Sequence, residues 1–324
     1  MKDVFKRLIT DFIEKNITGI ISRDYQIPLN SKKIISLIGV RRSGKSSILF
    51  DIVHNLRKTT PRENIIYINF EDDRLYPLEL ESLDLLLESY FELYPNKKNE
   101  KIYLFLDEVQ VVENWEAYVR RIYDNENISI YITGSSAKLL SSEIATSLRG
   151  RTISYEIFPF SFKEYLRYKQ IDINIHSSKS LSFIKNALEN YLIDGGFAET
   201  INEDNTISRK ILSDYLELIV YKDIVDRYNI TNRSLLKTLN KYCFTNIATL
   251  ISFNKLYNEF KSQGFKLSKD TIFNYVSHLE DAYTLFSVPI YRNSIKEEQR
   301  NPKKIYAIDN GFKKIYDYAI GEDK

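Results

Sequence analysis

Cysteine, methionine and tryptophan occur once each in 324 residues, and histidine three times. The single thiol, Cys243, has no internal partner, which excludes a disulfide framework. His54, His176 and His278 lie far apart, and no Cys/His cluster has zinc spacing, so a histidine-built metal site is not expected. Charge of either sign in excess is also missing. Lys and Arg number 46 against 44 Asp and Glu, a net of +2, so no global electrostatic commitment to nucleic acid follows. No apolar run approaches the roughly 20 residues of a membrane span. Met1 to Lys15 carries Asp3, Asp11 and Glu14 among its apolar positions, which reads as an amphipathic helix and not a signal peptide. The expected location is the cytoplasm, without membrane partners. What remains is 43% hydrophobic and 28% charged, the balance of a chain with a real core, long enough for two or three domains.

The stretch that organises the chain is Lys33 to Ser47. A short apolar strand leads into Gly39-Val40-Arg41-Arg42-Ser43-Gly44-Lys45-Ser46-Ser47 and then a helix. Gly39-x-x-x-x-Gly44-Lys45-Ser46 is a phosphate-binding loop, the Walker A pattern, and it sits in the strand–helix context the pattern requires. Residues without a Cβ let backbone close around phosphate oxygens. The following helix N-terminus offers oriented N–H groups and partial positive charge. In this reading Lys45 reaches the β and γ phosphates, and the Ser46 hydroxyl takes one position on Mg²⁺.

A second stretch complements it. Ile102-Tyr103-Leu104-Phe105-Leu106 suits a strand buried on both faces, and Asp107-Glu108 stands at its C-terminal end, where open α/β sheets place ligands. Asp107 is the expected Mg²⁺ residue and Glu108 the expected general base toward water. Ile128–Thr133-Gly134 ends in Ser135 and Ser136, equally placed to sense the γ-phosphate or merely to cap a helix. Arg149 and Arg151 follow, candidates for an arginine finger. Arg23 and Tyr25 are candidates to touch the base, although a packing linker is the plainer reading. Strands near 34–38, 65–70, 102–106, 128–132 and 152–157 alternate with helices. That pattern predicts an α/β fold, a P-loop NTPase parallel sheet with helices on both faces, over residues 1–158.

Beyond Phe158 the alternation stops. A helical lid is expected over 159–246, with helices at 180–193, 207–228 and 232–246, broken by Gly195-Gly196-Phe197. Lys222 and Arg227 are candidates for a second sensor, or for surface ion pairs. Over 247–324, Ser252 and Ser268 each cap a predicted helix, and two strand-like runs follow, from Tyr283 and from Lys304. Helix–turn–helix plus ribbon predicts a winged helix, with Lys266, Lys269, Thr271 and Asn274 as candidate DNA contacts and Lys296, Arg300, Lys303 and Lys304 in the wing loop. Acidic neighbours such as Asp270 and Glu280 leave duplex DNA and a protein partner both open.

Leu37 to Ser46, Leu106-Asp107-Glu108-Val109-Gln110, Thr133-Gly134-Ser135-Ser136 and Leu148-Arg149-Gly150-Arg151 together resemble a known group. It is the uncharacterised AAA-type ATPases of bacteria and archaea that join an ATPase core to a C-terminal domain of unknown function. The likeness runs through Gly195-Gly196-Phe197 and Lys222-Asp223-Ile224-Val225 to Ile305-Tyr306-Ala307-Ile308-Asp309. It implies ATP and Mg²⁺ as cofactors and hydrolysis with Lys45, Ser46, Asp107 and Glu108 in the roles above. It also implies similarity to switch-like and DNA-associated ATPases, and oligomers are compatible with it. Members usually continue into a restriction-endonuclease-like segment. The sequence ending at Lys324 leads to the expectation of a truncated or split reading frame without nuclease activity, exposing a helix at 315–320. The main expectation is an Mg²⁺-dependent ATPase whose turnover drives conformational change. The alternative is a nucleotide-dependent switch, or a DNA- or protein-binding module, with negligible turnover. A kinase is disfavoured, because Asp107-Glu108 supplies a water-activating carboxylate and no acceptor domain is evident.

Overall fold

The five apolar runs become five parallel strands in the computed structural model, which describes residues 1–134, 147–291, 294 and 302–316. They are β1 (Ile34–Ile38), β2 (Ile65–Asn69), β3 (Ile102–Asp107), β4 (Ile128–Thr133) and β5 (Thr152–Glu156), in the lateral order β2-β3-β4-β1-β5. Every residue of β1 and β3 is buried, a state that needs cover on both faces. On one face, Ile35, Leu37, Tyr103, Phe105 and Tyr131 join Phe12 of α1 (Lys2–Glu14) and Ile48, Leu49, Ile52 and Val53 of α2 (Lys45–Leu56) in one cluster. Phe105 stacks on Tyr131 with centroids 4.6 Å apart. The alternate residues Leu104, Leu106, Ile130 and Ile132 are equally buried. Helix α3 (Leu80–Leu93) lies against α1, and α4 (Trp115–Asn125) lies against β4 with Trp115, Tyr118, Val119 and Ile122 buried. Each such side chain contributes about 1.5–3 kcal/mol on burial, so the sheet interior outweighs any surface ion pair of this unit.

The chain divides into two compact units, Met1–Gly39 with Gly44–Ile157, and Val40–Ser43 with Phe158–Lys324. The tip of the phosphate-binding loop therefore groups with the second unit. That unit contains α5 (Phe162–Tyr168), α6 (Ser178–Asp194), α7 (Asn205–Leu218), α8 (Arg233–Thr245), α9 (Phe253–Ser262) and α10 (Lys269–Asp281). Ser161 and Glu164 form a capping box at α5, and Ser252 and Ser268 accept N–H groups at the starts of α9 and α10. Three short antiparallel strands, β6 (Leu250–Ile251), β7 (Leu285–Pro289) and β8 (Lys303–Ala307), run in the order β6-β8-β7.

One detail differs from the sequence pattern. The expected continuous helix over 207–228 contains a π-helical segment, Ile219–Val225, whose wider turn places Asp223 inward at 4% exposure. Most of the expected 315–320 helix, positions 317–320, lies outside the described residues, and Asn310–Ile315 is a 3-10 segment.

A buried aspartate explains the Gly-Gly break. Asp309 accepts N–H bonds from Gly196 at 2.6 Å and from Gly311 at 2.8 Å. A Cβ on Gly196 would meet the Phe160 carbonyl oxygen at 2.3 Å, so only glycine fits. Burial pushes the Asp309 carboxyl up to about 6, against the opposing pull of those two N–H donors.

Candidate functional site at the ends of the parallel strands

Three residues of β2, β3 and β4 converge because parallel pairing sets their height. Leu106 pairs with Ile132, so Asp107 and Thr133 end their strands side by side, and Tyr67 pairs with Phe105 on the face that carries Asp107. Thr133 Oγ1 donates to Asp107 Oδ1, and Tyr67 Oη donates to Asp107 Oδ2 at 2.6 Å. Thr133 Oγ1 also accepts the Glu108 N–H at 3.0 Å. One hydroxyl thus orients both acidic residues. Burial and the neighbouring Asp107 charge raise the Tyr67 phenol, which keeps it a proton donor.

Glu108 adopts φ +54°, the left-handed region that costs a non-glycine residue about 1 kcal/mol or more. The kink turns the chain out of the strand at the acid. Gln110 Nε2 donates to Glu108 Oε2, a contact the sequence did not single out.

The loop after β1 is built by close approach. Gly39 has φ +143°, and a Cβ there would meet the Ile157 carbonyl oxygen at 2.1 Å. Ile157 N–H donates to Ile38 O at 2.7 Å, holding the end of β5 against the loop. Gly44 precedes α2 in the left-handed conformation and provides no side-chain cap, so the first turn keeps N–H groups aimed outward for an anion. Lys45 is 5% exposed, and its Nζ donates to Gly39 O at 3.1 Å. Ser46 is half-buried and Ser47 exposed on that first turn. Arg23 is buried, with Nη1 3.0 Å from where a Gly44 Cβ would stand and its guanidinium over the Tyr25 ring.

Inside the second unit, Arg41 makes a two-point ion pair with Asp223, Nε to Oδ2 at 3.0 Å and Nη2 to Oδ1 at 3.1 Å. Arg42, exposed, meets Glu199 at 3.4 Å and lies over the Tyr215 ring. Val40 and Ser43, which flank the two arginines, are buried.

The remaining candidates are placed as follows. Ser135 and Ser136 lie outside the described residues, as do Lys296 and Arg300. Among the described residues, the strand-end hydroxyl that touches Asp107 is Thr133, two residues before Ser135, brought there by the parallel register of β3 and β4. Arg151 is committed to Asp124 through two bonds of 3.0 Å, and Arg149 is an exposed turn residue at φ +52°. Lys222 pairs with Asp226 at 3.4 Å, and Arg227 lies over Tyr228. Lys266, Lys269 and Asn274 are exposed, while the Thr271 hydroxyl is spent in the capping box with Ser268.

The cluster fits a cation. Asp107 is 1% exposed, and among the described residues it is met by two hydroxyls and by no ion-pair partner. A buried carboxylate without a counter-charge is costly, and an oxygen-preferring divalent cation would offset that cost. No group of three His, Cys, Asp or Glu side chains among the described residues could hold a metal without help, so ligands from a bound phosphate and water would complete the shell.

An AAA-domain family model matches residues 31–166, and a domain of unknown function matches 185–316. An uncharacterised protein of Methanocaldococcus jannaschii is 39% identical over 315 residues, covering 95% of this chain and 68% of that one. The chain belongs to this AAA-domain family. An uncharacterised Haemophilus influenzae member is 33% identical, with 90% of this chain and 69% of that one aligned. Among solved structures, Aeropyrum pernix ORC1 in complex with DNA aligns over 97% of this chain and 89% of its own at 12% identity and TM-score 0.35. AMPPCP-bound DnaA of Aquifex aeolicus aligns over 86% of both chains at 14% identity and TM-score 0.31. These likenesses are faint. Among the described residues no helix is long and apolar enough to cross a membrane.

Proposed function

We propose that the chain binds ATP with Mg²⁺ and hydrolyses it. The observation that supports this most is the buried, hydroxyl-held Asp107 beside the kinked Glu108, at the same sheet end as the glycine loop and Lys45. Ser46 and Asp107 are the residues to hold Mg²⁺, which supplies positive charge to the phosphoryl oxygens when bound. Gly39 to Gly44 shape the loop, and the first-turn N–H groups of α2 take phosphate oxygens. Lys45, released from Gly39 O, neutralises charge developing on the transferred group. Glu108 accepts a proton from the attacking water. Arg149 is the freer of the two finger candidates, given the Arg151–Asp124 pair.

The Gln110 contact favours a slow enzyme as the second reading, because that amide occupies one of the two Glu108 oxygens and competes with water for it. In that case nucleotide binding is a switch, read out by the second unit. DNA is the partner class suggested by exposed Lys266, Lys269 and Asn274 around a winged-helix-like arrangement of α9, α10, β7 and β8.

Steady-state ATP hydrolysis by the intact chain, with and without duplex DNA, tests both. Lys45→Ala is expected to lose nucleotide binding, whereas Glu108→Gln should keep binding and lose roughly 10²-fold in turnover. A Glu108→Gln protein that hydrolyses ATP at the unaltered rate would sink the base assignment. Tight binding with negligible turnover in the unmutated chain would select the switch.

A further inference from the structure

Asp107 depends on a residue from outside the two phosphate motifs. Tyr67 stands on β2, and its ring packs against both Phe12 of α1 and Phe50 of α2, with centroids at 4.7 and 5.1 Å, in a triangle closed by the Phe12–Phe50 contact at 6.4 Å. Phe12 stacks nearly parallel to it, at 20°. Arg57 in turn fastens the end of α1 by donating to Phe12 O and Lys15 O, at 2.7 and 2.6 Å. The ring is thus packed before the hydroxyl is used. From that seat Tyr67 Oη reaches Asp107 Oδ2, while Thr133 reaches Oδ1. Two donors from two neighbouring strands, one at each oxygen, fix the plane of the carboxylate. With only Thr133, the group could rotate about its Cβ–Cγ bond.

We infer that Tyr67 is a positioning residue for the metal-binding carboxylate: its hydroxyl, aimed by the aromatic seat on α1 and α2, sets the orientation in which Asp107 meets Mg²⁺ or its water shell. The inference rests on the ATP–Mg²⁺ reading given above and deepens it. Tyr67 touches neither nucleotide nor water in this account; it acts through Asp107. Partners of this kind orient a ligand's lone pairs, and losing one typically costs about 10- to 100-fold in metal affinity. The lone pairs left on each Asp107 oxygen point away from the hydroxyls, which leaves the carboxylate able to accept from a metal-bound water.

Tyr67→Phe keeps the ring and removes only the donor, and it separates the two ideas. The probe is a fluorescent ATP analogue, titrated once in EDTA and once at fixed nucleotide with increasing Mg²⁺. The expected result is an EDTA affinity within about twofold of the unmutated chain and a Mg²⁺ midpoint raised about 10-fold. Thermal melting of the ligand-free protein serves as the control for packing, and Thr133→Val is expected to move the Mg²⁺ midpoint in the same direction. An unchanged Mg²⁺ midpoint in Tyr67→Phe overturns the positioning role while leaving the nucleotide reading intact. An equal loss in EDTA and in Mg²⁺ also overturns it, because that pattern is loss of packing. If the unmutated chain binds the analogue with no response to Mg²⁺, the underlying reading fails and the inference falls with it.

Discussion

Strand β3 hides all six of its residues, whereas helix α6 hides only Ser180 and Ala187 of its seventeen. The contrast extends to the units that contain them. The first is held by apolar area, layer against layer, with Phe105, Tyr131, Leu37 and Leu49 out of contact with water. In the second, α6 leaves Phe183, Leu188, Leu192 and Ile193 exposed, and single polar contacts hold long stretches of chain in place. Asp309 ties Gly196 to Gly311, Asp223 ties the loop residue Arg41, and Lys314 reaches Asp194 at 2.5 Å. Apolar burial is non-directional and tolerates small shifts, but a polar contact out of water is lost whole when one partner goes. The second unit should therefore respond to isosteric changes that the first would ignore.

Four experiments put that contrast to the test. The largest effect is expected from Phe105→Ala, about 3–5 kcal/mol by denaturant titration, since it opens a cavity at the centre of the sheet. A loss below 1 kcal/mol would mean that the sheet interior is not what stabilises the first unit. Next comes pH. Asp309 ionises in the folded chain only at about 6, above its unfolded value, so folding takes up a proton between roughly pH 4 and pH 6. Its contribution is fully present below the unfolded value and is lost as pH rises through about 6. Hydrogen exchange at Gly196 and Gly311 should accelerate across that window, by an amount corresponding to no more than about 3 kcal/mol, and Asp309→Asn should remove the dependence. Asp223→Asn is third. It keeps the shape of the side chain yet removes the charge that Arg41 pairs with, for a loss of about 2 kcal/mol, measurable as faster exchange in the π-helical segment. The smallest response is expected at Cys243, where burial pushes the thiol up to about 12. Alkylation of the native chain should be negligible and should become rapid only in denaturant.

How far these features were legible in the sequence depends on the range over which each is decided. The five strands of the first unit were readable because local runs such as Ile102–Leu106 have no other way to bury their side chains. Gly39, Gly44, Lys45 and the Asp107-Glu108 pair were readable because motif chemistry is set within a few residues. Thr133 drew no attention beside Ser135 and Ser136, since a string of strand-end hydroxyls does not say which one pairs with the neighbouring strand's acid. Tyr67 had no local signal at all: on β2 it reads as one more aromatic strand residue. The π-helical turn at Ile219–Val225 was equally hidden, because a helical apolar period does not register one extra residue in a turn.

The layers of the first unit, the glycine loop, the acidic pair and the capped helices follow from spacing and residue type within single elements. That Tyr67 and Thr133 share Asp107, that Arg41 is paired with Asp223 across 182 residues of chain, and that Asp309 fills the space at Gly196 was settled in the folded chain. Those contacts depend on strand register and on the packing of distant segments. A polar group taken out of water is satisfied by whichever partner the fold brings within about 3 Å, and no spacing along the chain encodes that partner.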